Sequence, residues 1–270
     1  MRLVLVAVLA DNWHGDNSGG KPLLGQAKFV LNSLALFFAR KMSIRRDANK
    51  FEDRLRDAYG PPQIIGTPDE LPPEIPRMIF SSQHGFSQIV ISQISVVLNV
   101  TYSPDWQLDI SKGEQYLLDR CDKLFDLLKV AGEDAPFFSG LTTRVQIPCT
   151  NRRVPVYYLN KLLVSDDTNN SVFDLDVRKV QVVDEKYFSN VQLQNYRTWG
   201  LSPTPQDILQ LSERTCVEQG IQIIGDFNDR YSFNEQRIYR SSLDASKGII
   251  KRGIQVANLW VDKVKGLARD

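Results

Sequence analysis

The chain has 270 residues, a formal net charge of +1, 42% hydrophobic and 24% charged residues, the make-up of an ordinary globular protein with one large domain or two small ones. So small a net charge gives no reason to expect a polyanion as obligatory partner, and no run approaches the roughly 20 apolar residues that cross a bilayer. Cys121, Cys149 and Cys216 make no CxxC pair and leave an odd count, so free thiols in a reducing cytoplasm are expected rather than a disulfide framework.

Residues 3–10 are continuously apolar, the pattern of a strand covered on both faces. They are too short a run, ended too early by Asp11, for a signal peptide. A polar loop follows, and Pro22 then opens an expected helix with Leu23, Ala27, Val30, Leu34, Phe37 and Phe38 on one face, widened by Phe29 and Leu36. Residues 40–56 read as a charged helix in which Arg45 and Arg46 alternate with Asp47, Glu52 and Asp53. Residues 60–76 hold six of the 13 prolines, which forbids helix and central strand and leaves an extended connection.

The clearest signals lie between Arg77 and Cys149. Residues 77–82 read as a strand, 83–86 as a turn, and 87–102 as two strands broken near Gln93 and Ile94. Ile89, Ile91, Val96, Leu98, Val100 and Tyr102 fall mostly at alternate positions, so an antiparallel meander with one covered face is expected. A helix over 111–131 carries Leu117, Cys121, Leu124, Phe125 and Leu128 at helical spacing. Ser111 and Glu114 have the spacing of a capping box, and Gly132 supplies the left-handed stop. A strand over 142–147 closes the run.

Asn151 to Pro155 mark a second boundary. Residues 156–164 suit a short helix or strand, and 172–183 and 191–199 suit paired strands. Pro203 and Pro205 open a helix reaching Glu218, and 221–227 with 237–239 suit a hairpin. A terminal helix over 244–267 places Gly253 on its apolar face; a helical glycine costs about 1 kcal/mol against alanine, so close approach to a sheet is expected there. Together these elements predict an α+β protein of antiparallel or mixed sheets with helices packed on one side. Two related halves, 1–150 and 151–270, each set a hairpin before an amphipathic helix.

The proline-rich approach to Arg77, the Phe80-Ser81-Ser82 strand with the His84-Gly85 turn, Val97-Leu98-Asn99, Tyr102 with Pro104 and Trp106, Thr143-Arg144-Val145 before Asn151, and the helix after Leu243 form an ordered set of landmarks. In these the chain resembles a sporadically distributed prokaryotic family of uncharacterised proteins, over about 60–151 and the C-terminus. The resemblance implies a mobile-element or defence-type setting and no catalytic residues.

For chemistry, Asp11, His14 and Asp16 sit in a loop after an expected strand, and Asp226 and Asp229 could complete a divalent-metal site for phosphoester hydrolysis. With only two histidines in the chain, a solvated turn with capping carboxylates is the simpler reading. Lys21, after Gly19 and Gly20, could meet an anion at a helix start but lacks the P-loop pattern. Arg45, Arg46, Arg144, Arg152 and Arg153 could touch phosphates, while the interleaved acids favour a self-paired surface. The four tryptophans suit core or interface anchors. The expectation is a cytoplasmic, non-catalytic recognition protein that binds a protein partner or itself, without a predicted cofactor. A metal-dependent hydrolase or nuclease and a nucleic-acid binder are the alternatives.

Overall fold

One antiparallel sheet with helices laid against it makes this an α+β protein. The structure, a computed structural model, describes residues 24–150, 155–156, 158–159, 174–199 and 216–267. In chain order its elements are β1 (Lys28–Phe37), a 3-10 turn (Ile44–Asp47), α1 (Ala48–Leu55), β2 (Gln63–Ile64), β3 (Met78–Ser81), β4 (Ser87–Ile91), β5 (Ser95–Thr101), α2 (Pro104–Gln107), α3 (Ile110–Val130) and β6 (Phe138–Pro148). There follow β7 (Asp176–Val183), β8 (Tyr187–Trp199), β9 (Cys216–Asn228), α4 (Arg230–Glu235) and α5 (Leu243–Gly266). The sheet order is β2-β3-β4-β5-β1-β6-β9-β8-β7, with every pairing antiparallel.

The helix expected from Pro22 to Phe38 is instead β1, at the middle of the sheet between β5 and β6. An almost unbroken apolar run satisfies the helical and the strand period at once. Burial resolves it: Leu34, Leu36 and Phe38 are buried, while Ser33, Ala35 and Phe37 between them are only partly covered. Phe29 and Leu36, which did not fit a helical stripe, were the clue.

The meander from β3 to β5 follows the expected alternation, with Met78, Phe80, Ile89, Ile91, Val96, Leu98 and Val100 all inside. Its first turn uses Gly85 at a φ of 74°. The turn between β7 and β8 instead puts Asp184 and Glu185 at φ values of 54° and 51°, a conformation that costs a residue with a Cβ about 1–2 kcal/mol. Arg252 of α5 donates to the Asp184 carboxylate at 2.6 Å.

Leu117, Cys121, Leu124, Leu127 and Leu128 of α3 are buried in the common core, and the helix lies against β5 and β1. Burial pushes the Cys121 thiol up to about 12. The expected capping box is absent: the helix starts one residue earlier, and Ser111 donates to the Asp109 carboxylate instead of receiving a backbone amide. Gly132 ends this helix region at a φ of 77°. The terminal helix α5 is capped by Ser242, whose hydroxyl accepts from the Ala245 amide at 3.1 Å, and it packs on β6, β9 and α3. A Cβ at Gly253 would stand 3.0 Å from Leu141 and 3.4 Å from Phe227, so the predicted close approach is to these two strands.

The hairpin expected between 221–227 and 237–239 does not form. The partners of β9 are β6 and β8, and 237–239 lie in a turn and loop after α4. The expected helix over 156–164 or strand is helical at 155–156 and 158–159. The helix expected from Pro203 to Glu218 is contradicted at its end, where residues 216–218 belong to β9; residues 200–215, like the strand expected over 3–10, lie outside the described residues.

The proline-rich connection, expected to be extended, holds the edge strand β2 and two turns, closed by the Leu71 amide on the Pro68 carbonyl and the Ile75 amide on that of Pro72, and a buried cation orders it. Arg77, with 0% of its surface exposed, donates to the Ile75 carbonyl at 2.7 Å and to that of Pro68 at 3.3 Å. Asp69 in the same connection takes a 2.7 Å ion pair from Arg45 and lies 3.8 Å from the Arg77 guanidinium. Asp69 thus joins the 3-10 turn before α1 to the residue that opens β3.

Candidate functional site

In a pleated sheet successive side chains alternate between faces, so strand register decides which residues line up. On the face away from the buried core, two rows run side by side across eight strands. One is Ile79, Val90, Val97, Ala35 and Gly140 in β3, β4, β5, β1 and β6, continuing as Asn228, Phe188 and Val182 in β9, β8 and β7. The other, one pleat over, is Ser81, Gln88, Asn99, Ser33 and Thr142, continuing as Asp226, Asn190 and Val180. An aliphatic band therefore lies against a band of hydroxyls and amides. At about 4.8 Å between strands, eight strands extend roughly 34 Å.

The polar band is already organised by its own hydrogen bonds. Ser33 donates to the Asn99 side-chain carbonyl at 2.8 Å. The Asp226 carboxylate accepts from the amide of Asn190 and from that of Asn228, each at 3.0 Å. Gln146 donates to Gln222 at 3.2 Å farther along the same two strands, β6 and β9. Such groups are fixed before any partner arrives, which reduces the ordering cost of binding.

Near the middle of the aliphatic band the surface sinks into a depression of about 500 Å³ lined by Ala35, Phe37, Phe138, Gly140, Asp226, Asn228 and Arg230, among others. Gly140 is required there, because a Cβ would come within 2.9 Å of the Asn228 Cβ. The rings of Phe37 and Phe138 stack with centroids 4.4 Å apart. The guanidinium of Arg230 lies 5.6 Å from the Phe138 ring centre and that of Arg240 lies 4.4 Å from that of Phe137.

Asp226 and Asp229 serve different surroundings. Asp226 borders the depression, whereas Asp229 is 0% exposed. Asp229 accepts from the Ser139 amide and the Tyr239 hydroxyl, both at 2.7 Å, and burial pushes its carboxyl above the ordinary range. A buried hydroxyl network of Ser139, Ser241 and Ser246 adjoins it. Asp229 thereby ties the segment after β9 to the start of β6, which is a structural task.

Of the candidate cations, Arg45 is spent on Asp69 and the Ile65 carbonyl, Arg46 is exposed on the 3-10 turn, and Arg144 is exposed on β6 beside Ile224 in register. Asp11, His14, Asp16, Lys21, Arg152 and Arg153 lie outside the described residues. Among the described residues no three His, Cys, Asp or Glu side chains converge as metal ligands. Trp106 anchors an aromatic cluster with Phe86, Tyr116 and Tyr102, and exposed His84 stacks on Phe86 at 6.4 Å. Among the described residues no helix is long and apolar enough to cross a membrane.

Comparison with protein-family models, curated proteins and solved structures found no match. Ala35, Phe138, Thr142, Asn190 and Asn228 were not singled out from the sequence, and Phe37 was read only as part of a buried helix face. Apart from Asn228, which is itself buried, their signal was parity: each falls out of phase with the buried apolar residues of its own strand.

Proposed function

We propose that this chain is a recognition protein without catalytic chemistry, and that it binds a protein partner across the face of its sheet opposite α3 and α5. The observation that carries the reading is the pair of bands. An aliphatic row beside a row of preorganised amides and hydroxyls offers both apolar area and directional bonding, the two things a protein interface combines. The charges on this face are of both signs, Arg144 and Arg178 against Asp176 and Asp226, which suits a protein surface better than a phosphate backbone. The mobile-element or defence-type setting implied by the family resemblance belongs to the same proposal.

The proposal includes a structural part: the long helices α3 and α5 stand on one side of the sheet, while α4 sets Tyr231 and Phe233 against Phe188 and Phe138 of the other, and the chain is built of two related units. Strand order supports this. The series β3-β4-β5-β1 reads outward to inward on one side, and β7-β8-β9-β6 does so on the other. Each series begins in the chain with its innermost strand, passes through a helical segment, returns as a three-strand meander and ends in a short helix followed by a long one. On this reading β6 opens the second unit, so the junction falls between Gly132 and Phe138 rather than at 150.

Site-specific photocrosslinkers at Val97 and Gln192 on the face, and at Lys251 on α5, test the docking surface in cells. Adducts from both face positions and none from α5 are expected. Adducts from α5 alone, or from none of the three, would remove the proposal. Adducts to a second copy of this chain would make the partner the chain itself.

A further inference from the structure

We infer that the depression at the centre of the face is a socket for a basic side chain, arginine or lysine, presented by the protein partner. This deepens the docking reading above and rests on it.

The argument begins with the Asp226 carboxylate. Each of its oxygens holds one neutral amide donor, from Asn190 and from Asn228, and each keeps a further lone pair. No cation among the described residues lies within ion-pair distance of it. The Asp226 carboxylate therefore stands without an ion-pair partner among the described residues, on the wall of a depression that is otherwise mostly apolar but also holds Arg230.

The rest of the wall fits a long cationic side chain. Ala35 and Gly140 make the floor shallow enough to admit one, and the stacked pair Phe37 and Phe138 offers apolar surface to its methylene stem. Arginine and lysine bury their stems this way while keeping the charge at a polar tip. The neighbouring rings already accept cations from the chain itself: Arg230 on Phe138 and Arg240 on Phe137, contacts in which the ring quadrupole attracts the charge. A purely apolar residue would fill the same space but leave Asp226 partly desolvated with no compensating charge. An acidic residue would meet it with like charge.

The test uses the full chain and defined probes: acetyl-Ala-Arg-Ala-amide and its counterparts with citrulline or norleucine in place of arginine. Backbone amide shifts of Gly140, Thr142 and Asn228 are followed by NMR. The arginine peptide is expected to shift these amides saturably, and the citrulline peptide, which keeps the shape and loses the charge, to bind about fivefold more weakly or less. Asp226→Asn removes the charge in place and is expected to abolish the difference between the two peptides. Ala35→Leu fills the depression without touching Asp226 and is expected to abolish binding of all three. Equal binding of arginine and citrulline peptides, shifts confined to other parts of the protein, or no shifts would overturn the inference. Photocrosslinks from Val97 and Gln192 that persist in Asp226→Asn together with such a result would leave the docking surface standing and remove the socket alone. Loss of those crosslinks in the unaltered chain would remove both.

Discussion

The two faces of this sheet are made from the same strands, yet they are under different constraints. On β1, Leu34 and Leu36 are sealed in the core, while Ala35 between them floors an open depression. The covered face fixes the fold through packing, so its residues answer to volume. Among the described residues the opposite face carries fewer fully buried side chains, and its residues answer to register, because a row exists only if eight strands align. A difference of one position along the chain therefore separates a residue sealed in the core from one on the proposed docking face.

The largest effect that sharpens this contrast is a core truncation. Leu98→Ala, on the covered face of β5, should cost about 2–5 kcal/mol, read as a fall in the denaturant midpoint with unchanged slope. Val97→Ala beside it should cost well under half as much. Equal losses would mean that the opposite face is itself packed. A position that breaks the contrast is Gly253 in α5: Gly253→Val must push against Leu141 and Phe227, and overpacking of this kind costs about 1–3 kcal/mol.

How much was legible in the sequence follows the same division. The meander from β3 to β5, the helix α3 and the terminal helix α5 were readable because alternation or helical spacing in each was unambiguous and bounded by glycine, proline or a polar turn. β1 was not, since its apolar run fits both periods and only its two flanking strands decide the matter. The Arg77 clamp was hidden because its acceptors are mostly backbone carbonyls of a proline-rich segment, which carry no sequence signature. The bands on the face were hidden for a related reason: Asn99, Asp226 and Asn190 are far apart in the chain and meet only through register.

A mid-sized prediction concerns that clamp. Arg77→Met keeps volume and removes the donors to Ile75 and Pro68, leaving those carbonyls without their charged partner. About 2–3 kcal/mol of stability should be lost, with faster proteolytic cleavage within residues 61–76. Unchanged cleavage would mean that the prolines alone order the connection.

Smaller effects probe the joints between faces. Glu185→Gly relieves the left-handed conformation of the β7–β8 turn and should raise stability by about 0.5–1 kcal/mol in thermal melts. Asp229 gives a pH signature. Its folded value is raised by burial above the ordinary 3.8, so its contribution is fully present below that ordinary value and fades as pH rises through the raised one. The stability of Asp229→Asn relative to the unaltered chain should therefore climb with pH over that window and then level off. A difference that stays flat with pH would show that the carboxyl titrates as it does when unfolded.

The pairing of β1 with both β5 and β6 has a consequence during synthesis. The N-terminal end of the sheet can assemble once Thr101 has left the ribosome, but β6 begins only at Phe138. At roughly 5–20 residues per second, the nascent chain then carries β1 with one edge unpaired for about 2–7 seconds. That edge runs through Leu34, Ala35, Leu36 and Phe37, an apolar template on which another nascent chain can pair. The β1–β6 seam thus closes only after the N-terminal strands have paired, and the interval before it closes leaves that edge open to misassembly.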